Sequence, residues 1–417
     1  MATRVFAGGA RSHFEFLLRT RAMAGTSRIS DGFLGLCGHK VSRRSFIQSS
    51  AATLALLSLP YRPSPAPAQE MSYGFIRAHP AAFYRPLPDG LIQCQLCPHN
   101  CEVLDGDRGE CGVRENRQGQ YYTLAYGNPC AIHLDPVEKK PFFHLLPGSG
   151  SFSIATAGCN LHCKFCQNWE ISQARPDKTL NFDLPPEMVV AGARQTACPS
   201  IAHTYVEPII FYEYMVEVGR LAKKAGILNT CHSAGYINPE PLEKLTEVLD
   251  AACIDLKSFE PQFYRDLVGA ELEPVLETLK ILRRRKVHVE IVNLVIPQFN
   301  DKPETLSRMC AWIRDELGPL TPLHFSRFYP LYKMLNHYPT PVSTLEQARA
   351  LALKAGLKYV YIGNFPGHEA ESTYCHQCGK LVIARRGYRL GEVHLKDGTC
   401  GHCGTRIPGI WQKPVEA

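Results

Sequence analysis

The segment Gly158–Trp169, GCNLHCKFCQNW, sets Cys159, Cys163 and Cys166 four and three residues apart, with no fourth cysteine nearby. A closed metal site wants four protein ligands. Three thiolates on one short loop could instead hold three irons of a [4Fe–4S] cube and leave the fourth iron open. Open coordination is how a metal site takes substrate. S-adenosylmethionine (SAM) suits such a vacancy, because its amino and carboxylate groups can chelate the open iron. The radical chemistry would then belong to the cofactor, and its orientation and shielding to the protein. The alternative is a zinc site completed by a distant fourth cysteine.

Two further groups carry four cysteines each. In the tail, YCHQCGK and TCGHCGTRIPG give Cys375-x2-Cys378, then Cys400-x2-Cys403. Two such knuckles fit a tetrahedral four-thiolate site, of which zinc is the usual occupant, and a closed site of that kind is structural. A redox dithiol pair is the alternative. The front segment CQLCPHNCEVLDGDRGECGVR supplies Cys94, Cys97, Cys101 and Cys111. Zinc and a second iron–sulfur cluster both fit this module, with zinc or another structural metal favoured. Cys198, Cys253 and Cys310 are scattered and read as small buried hydrophobes.

These residues need a frame. From about residue 150 to 366, apolar runs of strand length alternate with amphipathic segments of helix length. The strands read as SFSIATAG, SIAHTYV, ILNTCHS, AACIDLK, VHVEIVNLVI, PLHFSRFY and YVYIGN. Between them lie helices such as PPEMVVAGARQTA and PVLETLKILRRRK, the latter with Val275, Leu276, Leu279 and Leu282 on one face. Such alternation implies βαβ units and parallel strands. The fold class is therefore α/β, a partial or full (β/α) barrel, with a doubly wound open sheet as the alternative. In either, chemistry collects at the C-terminal ends of the strands. The cysteine triplet follows the first strand, Glu207 the second, Cys231 and His232 end the third, and Asp255 and Lys257 the fourth. The chain divides into a leader and linker (1–70), an N-terminal Cys module (71–149), the core barrel (150–367) and a zinc-ribbon-like tail (368–417).

The formal net charge of +7 does not point to nucleic acid. Residues 1–62 hold nine basic and two acidic residues, and the rest of the chain holds 37 of each. A nucleic-acid partner should leave a cationic footprint in the body, and none stands out there. The N-terminal excess has a design of its own. SRRSFIQ (Ser42–Gln48) precedes the apolar run Ala51–Pro60, which is too short to span a bilayer. A Pro/Ala-rich stretch follows, with Ala66 and Ala68 in a small-x-small cleavage pattern. The whole looks like a twin-arginine export signal, implying a periplasmic protein that carries its cofactor out folded. Met23 offers a later start, and a cytoplasmic location is the alternative.

The triplet's form, placed after the first strand of an α/β barrel, resembles the radical SAM superfamily, and GCNLHCKFCQNW its pyruvate formate-lyase activating branch. The match extends through the front module, TYVEPIIFYEY, DLKSFEPQFYRDLVGA, VEIVNLVIPQFND, HFSRFYPLYKM, YVYIGNFPG and the tail. Together these resemble the radical SAM enzyme of AmmeMemoRadiSam systems, over about residues 75–412. The resemblance implies a [4Fe–4S] cluster on Cys159, Cys163 and Cys166, with SAM as cosubstrate. A reductant such as ferredoxin or flavodoxin, and AMMECR1-like and Memo-like partners, are implied with them. Glu207, within Thr204–Pro208, would accept from the SAM amino group. Asn168 and Trp169 would pack on the cluster or adenine, with plain core the alternative for Trp169. Asp255 and Lys257 would touch SAM or substrate, unless they form a structural ion pair. Asn293 is a candidate ribose contact and Asn364 an adenine contact. His324 and Arg327 are weaker rim candidates, His324 reading better as a core histidine. The function implied is reductive cleavage of SAM to a 5′-deoxyadenosyl radical that acts on an unidentified substrate. A glycyl-radical-enzyme activase and a non-catalytic metal scaffold are the alternatives.

Overall fold

The structure is a computed structural model that describes residues 71–413. The export motif and its cleavage pattern lie outside the described residues. Eight strands form the central sheet. They are β1 (Ala131–Pro136), β2 (Gly150–Ala155), β3 (Ser200–His203), β4 (Leu228–Ser233), β5 (Ala251–Asp255), β6 (His288–Val295), β7 (Leu323–Arg327) and β8 (Val360–Gly363). Helices α1 (Pro186–Gln195), α2 (Tyr212–Lys224), α3 (Pro239–Leu245), α4 (Glu273–Arg284), α5 (Pro303–Trp312) and α6 (Val342–Lys354) fall between successive strands from β2 to β8. Pro186, Pro239 and Pro303 each open a helix, where the missing N–H costs nothing.

The sheet order is strictly sequential, β8-β7-β6-β5-β4-β3-β2-β1. β2 to β8 are parallel, and β1 pairs antiparallel with β2. A doubly wound sheet would reverse its strand order partway. Here the order never reverses, and the first and last strands are not paired, so the winding is that of a barrel left open. The register aligns the strand ends: His203 lies beside Ile154 and Cys231, Asp255 beside Val292, and Ser326 beside Gly363. The rim foreseen from the sequence is therefore a single continuous edge.

β1 is the main surprise. Its segment reads with the Cys module, yet it extends the core sheet. AIHLDP ends in proline and leaves His133 and Leu134 exposed, so it shows neither alternation nor a continuous apolar run. On α4, Val275, Leu279 and Leu282 are buried and Leu276 is partly buried, as the amphipathic pattern requires. The tail is bolted to the sheet through a buried polar knot. Glu290 of β6 accepts from the Phe143 and His144 amides at 3.0 and 2.8 Å and from His324 Nε2 at 2.8 Å. His144 reaches the Pro408 carbonyl and the Tyr361 hydroxyl, at 2.6 and 2.7 Å. His324 is thus a satisfied core histidine. Among the described residues no helix is long and apolar enough to cross a membrane.

Candidate active site

The cysteine loop leaves β2 through Gly158, whose φ is +100°. A Cβ there would sit 2.6 Å from Val113 Cγ1 and 2.8 Å from the Cys111 carbonyl oxygen, so only glycine fits. Backbone bonds then pin the loop on several sides. His162 and Lys164 donate to the Val268 and Leu267 carbonyls at 2.8 and 2.9 Å, and Lys333 donates to the Lys164 carbonyl at 3.0 Å. The Cys166 amide donates to the Cys163 carbonyl, 3.2 Å away. Cys163 is buried, while Cys159 and Cys166 are partly exposed. Burial pushes the Cys163 thiol up to about 12, against the pull of Lys257. Burial raises Cys159 too, and Glu207 and the other two sulfurs add to it. Thiols this reluctant to ionise become thiolates at neutral pH when a bound metal supplies the positive charge.

Glu207 lies just past β3 and is almost fully buried. Its Oε1 accepts from Ser233 Oγ at 2.6 Å and from the Ile209 amide at 3.2 Å, and its Oε2 accepts from the Ala234 amide at 2.7 Å. An ionised carboxylate offers about four lone-pair sites. Three are used, leaving one for a further donor. Burial raises the Glu207 carboxyl, and the Ser233 hydroxyl, the two amides and Lys257 work against that rise. Asn168 donates to the Tyr205 carbonyl at 2.7 Å. It therefore ties the cysteine loop to the turn that delivers Glu207, rather than standing free for adenine. Tyr205 has φ +68°, which marks how tight that turn is.

Asp255 and Lys257 pair at 2.9 Å, and His232 Nε2 donates to the other Asp255 oxygen at 2.9 Å. Burial pushes Asp255 up, but Lys257 and His232 outweigh it and hold the carboxyl well below its usual range. Lys257 also lies 5.8 Å from the Phe165 ring centroid, beneath the cysteine loop. The trio is an ion-paired unit at the rim that touches the loop's underside. Asn293 is fully buried. Its Nδ2 donates to the Leu256 carbonyl at 2.7 Å, while its Oδ1 has no partner. That orphaned acceptor at the rim suits a donor such as a ribose hydroxyl. Asn364 is exposed and donates to the Arg327 carbonyl at 2.9 Å, linking the ends of β7 and β8. Arg327 itself donates to the Thr340 carbonyl and lies over Tyr329 and Phe365. Trp169 is not core: it is 40% exposed and stacks on Tyr332, with centroids 5.2 Å apart.

Ser233, Ala234 and His232 were not singled out for these contacts by sequence reasoning. The motif CHSAG places them one strand beyond Glu207, and only the parallel register brings them together. Three thiols on a single loop, a buried carboxylate with one free acceptor position and an orphaned amide oxygen together fit an iron–sulfur cluster with a bound amino-acid-bearing ligand.

The tail cysteines converge. Among the described residues, Cys375, Cys378, Cys400 and Cys403 are the one group of metal-ligating side chains whose ligand atoms all lie within 4.8 Å of one another. Cys375 and Cys403 sulfurs are 3.6 Å apart, and Cys378 and Cys400 sulfurs 3.8 Å. Gly379 and Gly404, at φ +71° and +74°, donate back to Cys375 and Cys400 and close the two knuckles. The front cysteines instead line a cavity with Arg114, Tyr121, Asn160, Ile209 and Ile210.

The family model described as Radical SAM superfamily matches residues 153–310. An uncharacterized protein of Methanocaldococcus jannaschii is 45% identical over 329 residues, covering 78% of this chain and 98% of that protein. The pyruvate formate-lyase 1-activating enzyme of Escherichia coli is 25% identical over 218 residues, covering 49% of this chain and 89% of the enzyme. Among solved structures, a radical SAM methyltransferase from Sphaerobacter thermophilus is 14% identical with a TM-score of 0.42, over 56% of this chain and 71% of that one.

Proposed function

This chain belongs to the radical SAM superfamily, and from that membership we propose that it abstracts hydrogen from a substrate handled by an AmmeMemoRadiSam-type system. An enzyme of this class implies a [4Fe–4S] cluster and SAM, and uses a reductant such as flavodoxin. When bound, the two supply one-electron cleavage of the sulfonium bond, giving methionine and a 5′-deoxyadenosyl radical. The chain's own residues hold and orient. Cys159, Cys163 and Cys166 would hold the cluster. Glu207, fixed by Ser233 and two amides, would accept from the SAM ammonium. Asn293 Oδ1 would accept from the ribose. Asp255, held ionised between Lys257 and His232, keeps the underside of the loop in place. The observation that carries this reading is the juxtaposition of a three-thiol loop with Glu207 on one rim. The tail site takes zinc: a Zn–S bond of about 2.3 Å gives tetrahedral sulfur separations of roughly 3.8 Å, close to those seen.

AMMECR1-like and Memo-like proteins are the proposed partners, and the resemblance across front module, core and tail supports them. The test is to add each purified partner to the reduced enzyme and follow 5′-deoxyadenosine. Several-fold stimulation together with co-elution supports the system. Neither binding nor stimulation rejects it. The likeness to an activating enzyme favours a second reading, in which the substrate is a glycine of a partner enzyme. A glycyl radical on a partner, seen by electron paramagnetic resonance, would select that reading. Export by the arginine-pair signal is also proposed, and a reporter fused behind residues 1–70 tests it.

A further inference from the structure

We propose that Cys94, Cys97, Cys101 and Cys111 hold a second iron–sulfur cluster, fully ligated by cysteine and packed directly behind the two elements that shape the SAM site. The spacing of the four residues leaves both zinc and a cluster open, and by itself favours zinc or another structural metal. The structure separates them.

The tail shows what this chain does for one ion: four sulfurs drawn to within 4.8 Å, with nothing between them. The front cysteines are not gathered in that way. They stand around a cavity of about 20 Å³, more than the roughly 10–15 Å³ a single water needs. Four thiolates on the corners of a cube stand farther apart than four on one ion, and space between them is what the cube fills.

Three atoms of the cavity's polar side chains lack partners. Tyr121, Arg114 and Asn160 all line it, and each is at most 2% exposed. Tyr121 Oη, Arg114 Nε and Asn160 Oδ1 make no hydrogen bond. Two of these are donors, and an unmet buried donor costs about 1–3 kcal/mol. Tyr121 Oη and Cys101 Sγ lie 3.3 and 3.6 Å from one point, the Cβ position of Gly109, so both face the same part of the cavity. Cluster sulfides and thiolates are acceptors, and hydrogen bonds to them are a usual feature of such sites. The Glu110 amide already donates to Cys101 Sγ at 3.4 Å. Arg114 is fixed for this role by Glu213, at 2.7 Å, and by the Ala82 carbonyl.

The walls place the site. Asn160 follows Cys159, and Ile209 and Ile210 follow Glu207 by two and three residues. His99, between Cys97 and Cys101, lies 2.7 Å from the Asn160 carbonyl. The front cavity and the SAM loop thus share a wall. With four cysteines on four irons no coordination position is open, so this cluster would carry electrons or brace the loop, and would not bind SAM.

The inference is independent of the substrate proposed above. The test is elemental analysis of anaerobically purified, full-length protein, with spectra of two variants. Wild type should hold about eight irons, eight sulfides and one zinc per chain. The Cys159→Ala/Cys163→Ala/Cys166→Ala variant should keep about four irons and a dithionite-reduced resonance that SAM does not alter. The Cys97→Ala/Cys111→Ala variant should keep the resonance that SAM does alter. Wild type with about four irons and two zincs, or a triple variant free of iron, overturns the second cluster. A Cys97/Cys111 variant with iron but no response to SAM would instead overturn the reading of the SAM site. The wild-type count needs no variant to fold.

Discussion

Gly158→Ala is the sharpest local perturbation this structure offers, because one atom touches both cysteine modules. The new Cβ meets Val113 Cγ1 at 2.6 Å, the Cys111 carbonyl oxygen at 2.8 Å and Ile210 Cδ1 at 3.2 Å. The backbone at φ +100° adds strain of about 1–3 kcal/mol. Overpacking against a fixed carbonyl adds about 1–3 kcal/mol more. The sum, about 2–6 kcal/mol, should lower the melting temperature by roughly 3–8 °C, at about 2.1 cal/mol/K of unfolding entropy per residue. Iron content should fall with it, since the contact bears on Cys111 on one side and Cys159 on the other. Gly106→Ala is the control. It shares the positive φ, at +78°, but has nothing within 4 Å, so it should lose only the strain. Adding Val113→Ala to Gly158→Ala removes the closest contact and leaves the carbonyl one. The two substitutions should therefore couple by about 1 kcal/mol or more. Melting by circular dichroism and iron analysis under anaerobic conditions read wild type, the three single variants and the double variant. A Gly158→Ala protein with wild-type stability and iron, or strictly additive effects with Val113→Ala, would refute the packing argument.

Other perturbations give distinct readouts. Glu207→Gln sets an amide against fixed N–H donors and removes the charge offered to the SAM ammonium. SAM binding by calorimetry should weaken about 10- to 100-fold, from about 1.5–3 kcal/mol, and unchanged affinity would contradict the assignment. Cys378→Ser should release the tail metal and lower stability while leaving iron content alone, as metal analysis would show. Burial holds His144 and His203 down to about 4, from an ordinary 6.5. Both are neutral in the fold, so the unfolded chain binds more protons between those values. Stability is therefore full above about 6.5 and falls as the pH drops toward 4. At pH 5 the loss is about 2 kcal/mol per histidine. Urea midpoints at pH 7 and 5 measure it, and His203→Leu should remove about half of the difference. A pH response unchanged by that substitution would show that other groups carry it.

The barrel was legible because each of its helices and parallel strands carries its own periodicity. PVLETLKILRRRK announces its buried face through Val275, Leu279 and Leu282 without help from the rest of the chain. The cysteine triplet and the two tail knuckles were legible for a similar reason, since their chemistry lies in local spacing. What escaped depends on register across strands. Ser233 and Ala234 serve Glu207 only because β3 and β4 run parallel with His203 beside Cys231. His232 joins Asp255 in the same way, across β4 and β5. β1 gave no pattern, being an edge strand whose adjacent His133 and Leu134 are both exposed. Gly158 reads in TAGCN as an ordinary strand-end turn, and nothing local says that Val113 and Cys111 fill the space where its side chain would be. Asn168 and Trp169 were expected to pack on the cluster or adenine; their partners in the fold, Tyr205 and Tyr332, come from distant turns.

The central claim is that three cysteines on one loop leave an iron open for SAM, next to Glu207. The direct measurement is 5′-deoxyadenosine and methionine formed from SAM by the anaerobic, dithionite-reduced protein, set beside Cys163→Ala. The account predicts both products in equal amounts from wild type and neither from the variant. Equal yields from the two proteins, or none from an iron-loaded wild type, would contradict it.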